Sequence, residues 1–139
     1  PAGGCLLTDP AISRRLKDVF DNLPGWSEHD ALMTTLGRHF RLHSGLKVIL
    51  GHNADENARL DHLAGPLPIA AFTEKAGPTA VLVGCHKDED LATVGRLMRH
   101  FARKVTDARV EIRLRSDGKE TTWQASAVAT AEEVERWKI

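Results

Sequence analysis

Apolar side chains recur at helical intervals in five segments of the chain, and they alternate or run together in six shorter ones. The segments with helical spacing are residues 8–22, 27–37, 51–65, 87–105 and 130–139. In the longest of them, Leu91, Val94 and Met98 lie three or four positions apart and define one buried face. Ser, Thr, Asn or Asp stands before most of these segments, as is typical of helix N-caps.

The six other apolar segments have the length and spacing of strands. They are residues 38–42, 46–50, 68–72, 79–84, 109–116 and 119–128. A Ser-Gly turn joins the first two, and Asp117-Gly118 joins the last two, so both pairs are predicted hairpins. The sequence therefore predicts an α+β fold, with a mostly antiparallel sheet and helices packed on one face.

Composition narrows the class of protein without identifying it. The 139 residues are 42% hydrophobic and 27% charged with a net charge of zero, which is typical of one ordinary globular domain. No apolar run reaches the length of a membrane span and no leader of the signal-peptide kind is visible, so we expect no membrane partner. The two cysteines are far apart in sequence, which favours a reducing cytoplasm over a disulfide-rich compartment.

The basic residues are unevenly distributed. Between residues 96 and 115, seven Arg or Lys side chains accompany only two acidic ones. Arginine and histidine without a ladder of aromatic residues suit backbone phosphates better than base stacking. The sequence therefore favours a phosphate-binding surface. Two alternatives are a solvated face with local salt bridges, and an arginine-rich hairpin that meets an acidic protein partner or forms a dimer.

Metal binding and catalysis by this chain alone have little support in the sequence. His39 and His43 are separated by about 13 Å if both lie on one strand, which is too far to share an ion. No Cys or His spacing resembles a zinc site, and no Walker-type loop or Gly-x-Ser-x-Gly segment is present. We expect no metal site here, and a stand-alone enzyme using His and Asp residues is the weaker alternative.

The central segment "LGRHFRLHSGLKVILGHNADENARLDHLAG", followed by "AGPTAVLV" and a long helix, resembles NFACT-type RNA-binding domains over residues 38–115. The positions that carry this resemblance are Gly51, Asn53, Glu56, Asn57, Leu60, Gly77, Pro78, Val81 and Leu82. One strand departs from the family pattern, because the family's Asp-x-Trp-x-His is replaced here by "IAAFTEK". The resemblance implies that the chain binds RNA.

The segment "GGCLLTDPAISRRLKDVF" is similar to a Gly-x-Cys segment of tRNA 2-thiouridylases, which are PP-loop enzymes that sulfurate tRNA uridine. That resemblance implies that Cys5 is the second catalytic cysteine of an intact parent enzyme. It also implies ATP and Mg in a domain N-terminal to this chain, with no cofactor in the chain itself. "EHDALMTTLGR" is similar to another thiouridylase stretch, so a PRC-barrel-like C-terminal domain is a further alternative.

Together the two resemblances predict the C-terminal part of a tRNA sulfurtransferase. Residues 1–25 would be the tail of a PP-loop catalytic domain, and residues 26–139 an NFACT-type domain that binds tRNA or another structured RNA. A sulfur donor protein is the implied partner of the parent. The residues predicted to contact RNA are Arg38, His39, Arg41, His43, Asn53, Asn57, Arg96, Arg99, Arg103 and Arg113.

Overall fold

The helices begin where the sequence places capping residues. A computed structural model of the protein describes residues 9–22 and 25–139. Its helices are α1 (Pro10–Asn22), α2 (Glu28–Met33), α3 (Ala54–Ala64), α4 (Asp88–Phe101) and α5 (Ala131–Trp137). Ser27, Asn53 and Thr130 each accept a hydrogen bond from a backbone N–H in the first turn of α2, α3 and α5. The Asp9 carboxylate caps α1 by accepting from the Ala11 N–H at 2.8 Å.

The strands pair into a single antiparallel sheet. They are β1 (Arg38–Arg41), β2 (Lys47–Leu50), β3 (Ile69–Phe72), β4 (Ala80–Val83), β5 (Val110–Ser116) and β6 (Lys119–Ala125). Their spatial order is β1-β2-β4-β3-β5-β6, and every neighbouring pair is antiparallel. The predicted α+β class and antiparallel sheet are confirmed. The sheet is open, with β1 and β6 at its edges, so the barrel-like alternative is wrong.

Helices cover both faces of the sheet, whereas the sequence predicted one. On one face, α4 and α5 cover a large cluster that includes Val48 and Leu50. On the other, α2 and α3 cover a smaller cluster around Ile49. Successive residues of β2 point to opposite faces, and a strand that is apolar throughout must be covered on both sides.

Helix α1 packs against α2, and a partly buried group of charges joins it to β1 and β2. Its Asp18 forms a salt bridge with Arg41 and lies 3.5 Å from the ammonium nitrogen of Lys47. Val19 is buried, whereas Phe20 is 50% exposed and lies against Trp26 with ring centroids 4.8 Å apart. The predicted domain boundary at residue 25 stays a prediction.

The last residues of the chain cover the β1 edge of the sheet. Lys138 forms an antiparallel bridge with Phe40, and the Ile139 N–H donates to the His39 carbonyl at 3.1 Å. This contact brings α5 beside β1 and α1. Of the helices described here, none combines the length and the apolar character that a bilayer crossing requires.

Candidate nucleic-acid interface

Arg99 lies inside the domain, although the sequence predicted it as an RNA contact. Its side chain is on the buried side of α4 and the residue is 6% exposed. The guanidinium donates to four backbone carbonyls that flank β5 and β6, those of Asp107, Ala108, Ala125 and Ser126. The group therefore ties α4 to the sheet, and this burial does not fit a contact with RNA.

His39 is also enclosed, with 2% of its surface exposed. Its Nε2–H donates to the carbonyls of Met33 at 3.1 Å and Leu36 at 2.8 Å, so the proton is on Nε2. Desolvation by burial, together with the charges of Lys47 and Arg15, lowers the pKa of His39 to about 3. A neutral ring held by two carbonyls fixes the turn after α2 and cannot neutralise a phosphate.

We predict that His39 makes the protein less stable in mild acid. Its folded pKa of about 3 lies below the ordinary 6.5, so below 6.5 only the unfolded chain takes the proton. From about pH 7.5 to about pH 5, this linkage lowers the free energy of unfolding by about 2 kcal/mol. Urea unfolding of wild type and His39→Gln at both pH values measures it, and His43→Gln is the exposed control. Equal pH-dependent losses in wild type and His39→Gln would contradict the prediction.

Two further predicted contacts are partly neutralised by acidic neighbours. Arg41 forms its salt bridge with Asp18 and also donates to the Gly45 carbonyl at 2.8 Å. Arg96 pairs with Glu133 and lies over the ring of Trp137, 5.8 Å from its centroid. Both arginines connect elements of the fold, and their charge is less available to an RNA phosphate.

The asparagine signature that carried the family resemblance has a structural role. Asn57 donates to the Gly77 carbonyl at 3.3 Å and accepts from the Thr79 N–H at 3.0 Å. A Cβ on Gly51 would lie 2.0 Å from the Asn57 carboxamide oxygen, so this position has room only for glycine. Asn53 caps α3. The motif thus fastens the start of α3 to the segment that leads into β4.

The other predicted contacts are more accessible. His43 and Arg103 are exposed, and no described residue forms a salt bridge with either. Arg113 is half-buried in a shallow hollow of about 270 Å³ between α3, β3 and β5. The neighbouring Arg115 is paired with Asp61 of α3. Of the predicted hairpin arginines, Arg113 is therefore the better placed for an external phosphate.

A larger basic pocket, which we call the β1-edge pocket, lies between α1, β1, α5 and the end of α4. Its volume is about 400 Å³. Among the described residues that line it, four are Lys or Arg and one, Glu135, has an acidic side chain. The lining residues are Ala11, Arg14, Arg15, Arg38, His39, Phe40, His52, His100, Phe101, Ala131, Val134, Glu135, Lys138 and Ile139. The apolar members form one side, so the pocket combines positive charge with an apolar wall.

Sequence reasoning missed most of this pocket. It predicted Arg38 and His39, but not Arg14, Arg15 or Lys138. The adjacent arginines of the first helix were the available signal. They are separated from Arg38 by more than 20 positions, and only the packing of α1 against β1 brings them together.

Arg38 has a defined orientation in the pocket. Its guanidinium carbon lies 4.4 Å from the centroid of the Phe101 ring, which is cation–π geometry. Partial burial lowers the pKa of Arg38, but an arginine remains charged at neutral pH. His100 lies edge-on to the same ring at 4.9 Å, and its Nδ1–H donates to the Ala129 carbonyl at 2.8 Å.

Among residues 9–22 and 25–139, no group of three His, Cys, Asp or Glu side chains is arranged to hold a metal ion. Cys5, the position predicted to be catalytic in an intact parent, lies outside the described residues.

Comparison with known proteins identifies the domain. The family model NFACT-R_2, described as NFACT protein RNA binding domain, matches residues 37–138. No curated protein matches the chain significantly. A solved structure, the C-terminal part of the fibronectin/fibrinogen-binding protein from Streptococcus suis, has a TM-score of 0.56 at 14% identity. The alignment covers 74% of this chain but only 50% of that one, and at this identity it shows the fold alone.

Proposed function

We propose, since the chain belongs to the NFACT-R_2 family of RNA-binding domains, that it holds tRNA or a similarly structured RNA through arginines that the fold leaves unpaired. The observation that carries this proposal is the division of the arginines into two groups. Arg99, Arg41 and Arg96 are used within the fold. Others reach the surface and form no salt bridge within the described part of the chain, namely Arg14, Arg38, Arg103, Arg109, Arg113 and Arg136.

Unpaired surface arginines suit an RNA backbone. Each can donate to a phosphate in two parallel hydrogen bonds, and no internal carboxylate has to be displaced first. The net charge of the chain is zero, so attraction to RNA must come from where these arginines lie. Phosphate contacts of this kind fix the orientation of an RNA but do not read its sequence.

Binding to tRNA is expected to fall steeply with salt. If four of these unpaired arginines each neutralise one phosphate, affinity drops about 50- to 150-fold between about 50 and about 200 mM salt. Filter binding at several salt concentrations measures the slope. Absence of binding at low salt, or binding that salt does not change, would contradict the proposed function.

Charge-matched variants make this test specific. Arg103→Gln should reduce the dependence of log affinity on log salt by about 0.7 to 0.9, the contribution of one phosphate. Arg59→Gln is the control, since Arg59 is exposed but already lies 3.3 Å from the Asp55 carboxylate. An equal change of the salt-dependence slope in both variants would show that salt bridges within the fold do not determine which arginines contact RNA.

For the longer protein, we propose that this domain presents tRNA to a uridine-thiolating catalytic domain. The support is the similarity of the segment around Cys5 to tRNA 2-thiouridylases. ATP and Mg would be bound by a domain outside this chain, and a sulfur donor protein would supply the sulfur. The proposal also implies a cytoplasmic location, where tRNA is modified.

Cys5→Ser in the longer protein is expected to abolish uridine thiolation, because a hydroxyl cannot carry or resolve a persulfide. Binding of tRNA should be unchanged, since the domain that holds it is intact. Mass spectrometry of tRNA nucleosides measures the first effect and filter binding the second. Thiolation that survives the substitution would remove Cys5 from the mechanism.

A further inference from the structure

We infer that the β1-edge pocket binds one unpaired nucleotide of the RNA, with its base against the Arg38–Phe101 stack and its phosphate at the basic rim. The inference rests on the proposed RNA-binding function and adds a specific subsite to it. The family match covers only part of this pocket, because α1, which supplies Arg14 and Arg15, lies before the matched residues 37–138.

The size of the pocket suits a single nucleotide. Its volume of about 400 Å³ lies within the range of pockets that enclose small molecules and is too small for a duplex. Bases inside an RNA duplex are stacked and paired and cannot enter such a pocket, whereas an unpaired base can be splayed out. The pocket therefore selects for single-stranded or bulged RNA.

The chemistry of the lining matches the two halves of a nucleotide. Phe40, Phe101 and Val134 supply apolar surface, and the guanidinium carbon of the partly exposed Arg38 lies over the Phe101 ring. Guanidinium planes and aromatic rings are the surfaces on which unpaired bases stack in protein–RNA complexes. Arg14 and Lys138 are exposed members of the lining that can contact the phosphate, and the partly buried Arg15, which donates to the Thr34 carbonyl at 3.0 Å, adds positive charge.

Two residues that line the pocket carry buried polar atoms without partners in the described part of the chain. His39 is almost fully buried, and its Nδ1 has no hydrogen-bond partner among the described residues. Because its proton is on Nε2, Nδ1 is a hydrogen-bond acceptor. The Nε of Arg15 is a buried donor that is likewise unpaired within the described chain. Buried polar groups without partners are rare, and both of these belong to residues of the pocket lining.

Filling the pocket with larger side chains tests its contribution to binding separately from that of the basic residues outside it. Ala11 and Ala131 line it, and replacing both with Leu fills it without changing any charge. We expect the double variant to bind a short single-stranded RNA about tenfold or more weakly, the contribution of one stacked base. Its salt dependence should stay close to wild type. The matched control is Ala92→Leu with Ala108→Leu, two exposed positions outside the pocket.

Fluorescence anisotropy with the labelled RNA measures the affinities, and the same RNA annealed to its complement is the second probe. The double variant should bind the duplex as wild type does. Wild-type affinity of the filled pocket for single-stranded RNA would overturn the inference and leave RNA binding by the domain intact. Failure of wild type to bind either RNA would instead overturn the proposed function.

Competition by free nucleotides tests whether the pocket binds a nucleotide within an RNA chain or a free nucleotide. Uridine or adenosine monophosphate should compete with the RNA far more weakly than unlabelled RNA does, because the RNA also contacts the arginines outside the pocket. If a free nucleotide competes at a concentration within about threefold of that of unlabelled RNA, the contacts outside the pocket contribute under about 1 kcal/mol to binding. That result would overturn the assignment to RNA in favour of a free nucleotide.

Discussion

Arg99→Met is expected to lower the free energy of unfolding by about 3–5 kcal/mol, because it removes the charged donor shared by four carbonyls. Methionine fills a similar space but donates no hydrogen bond, so carbonyls on the loops around β5 and β6 lose their partner in a place with little water. Chemical denaturation followed by circular dichroism measures the loss. It should accompany any loss of RNA binding.

Arg103→Met is the matched control for this prediction. Arg103 lies four residues further along the chain, just after α4 ends, and is exposed, so its replacement should change stability by less than about 0.5 kcal/mol. It should nevertheless weaken RNA binding at low salt. If Arg99→Met unfolds like wild type and binds RNA less well, Arg99 is a contact residue after all, and the hydrogen bonds that the structure shows contribute little.

Gly51→Ala is expected to destabilise the domain by about 3 kcal/mol. The new methyl group would lie 2.0 Å from the Asn57 side-chain oxygen and 3.1 Å from the Asn57 backbone nitrogen. Relief requires Asn57 to move, and its hydrogen bonds to Gly77 and Thr79 are then lost. Thermal and urea unfolding measure the effect.

Two control variants test whether the close contact with Asn57 causes the loss of stability in Gly51→Ala. Gly45→Ala meets no atom within 4 Å, although its φ of +94° favours glycine, so it should cost only about 1–2 kcal/mol of backbone strain. Asn57→Ala without any change at Gly51 should reproduce most of the Gly51→Ala loss. If Gly51→Ala were harmless while Asn57→Ala was not, the close approach of the two residues would not be what excludes a side chain at position 51.

Local signals in the sequence were sufficient to predict the elements of this fold. Ser27 and Thr130 cap α2 and α5, and the Asp117-Gly118 turn closes its hairpin with φ of 51° and 73°. These features can be predicted from the sequence because capping and tight turns depend on residues adjacent in the chain. The placement of helices on both faces of the sheet could not be predicted in the same way, because short apolar strands do not show which helix covers which face.

The candidate site was predicted less well than the fold. The distribution of charge and the alternation along the strands favoured arginine and histidine as the contact residues. They placed Arg99 and His39 at the surface, but both are buried in the structure. A sequence pattern cannot distinguish an arginine that serves backbone carbonyls from one that faces solvent, because the carbonyls belong to distant segments. The same limitation hid Arg14 and Lys138, which meet at one pocket from opposite ends of the chain.

By itself, then, the sequence determined the helices, the strands, the α+β class and the resemblance to an RNA-binding family. These properties follow from local propensity, periodicity and short motifs. Only the tertiary structure decided which arginines remain free for RNA and where a pocket forms. Burial and pairing are set by contacts between residues far apart in sequence, such as Arg99 with Ser126 and Arg41 with Asp18.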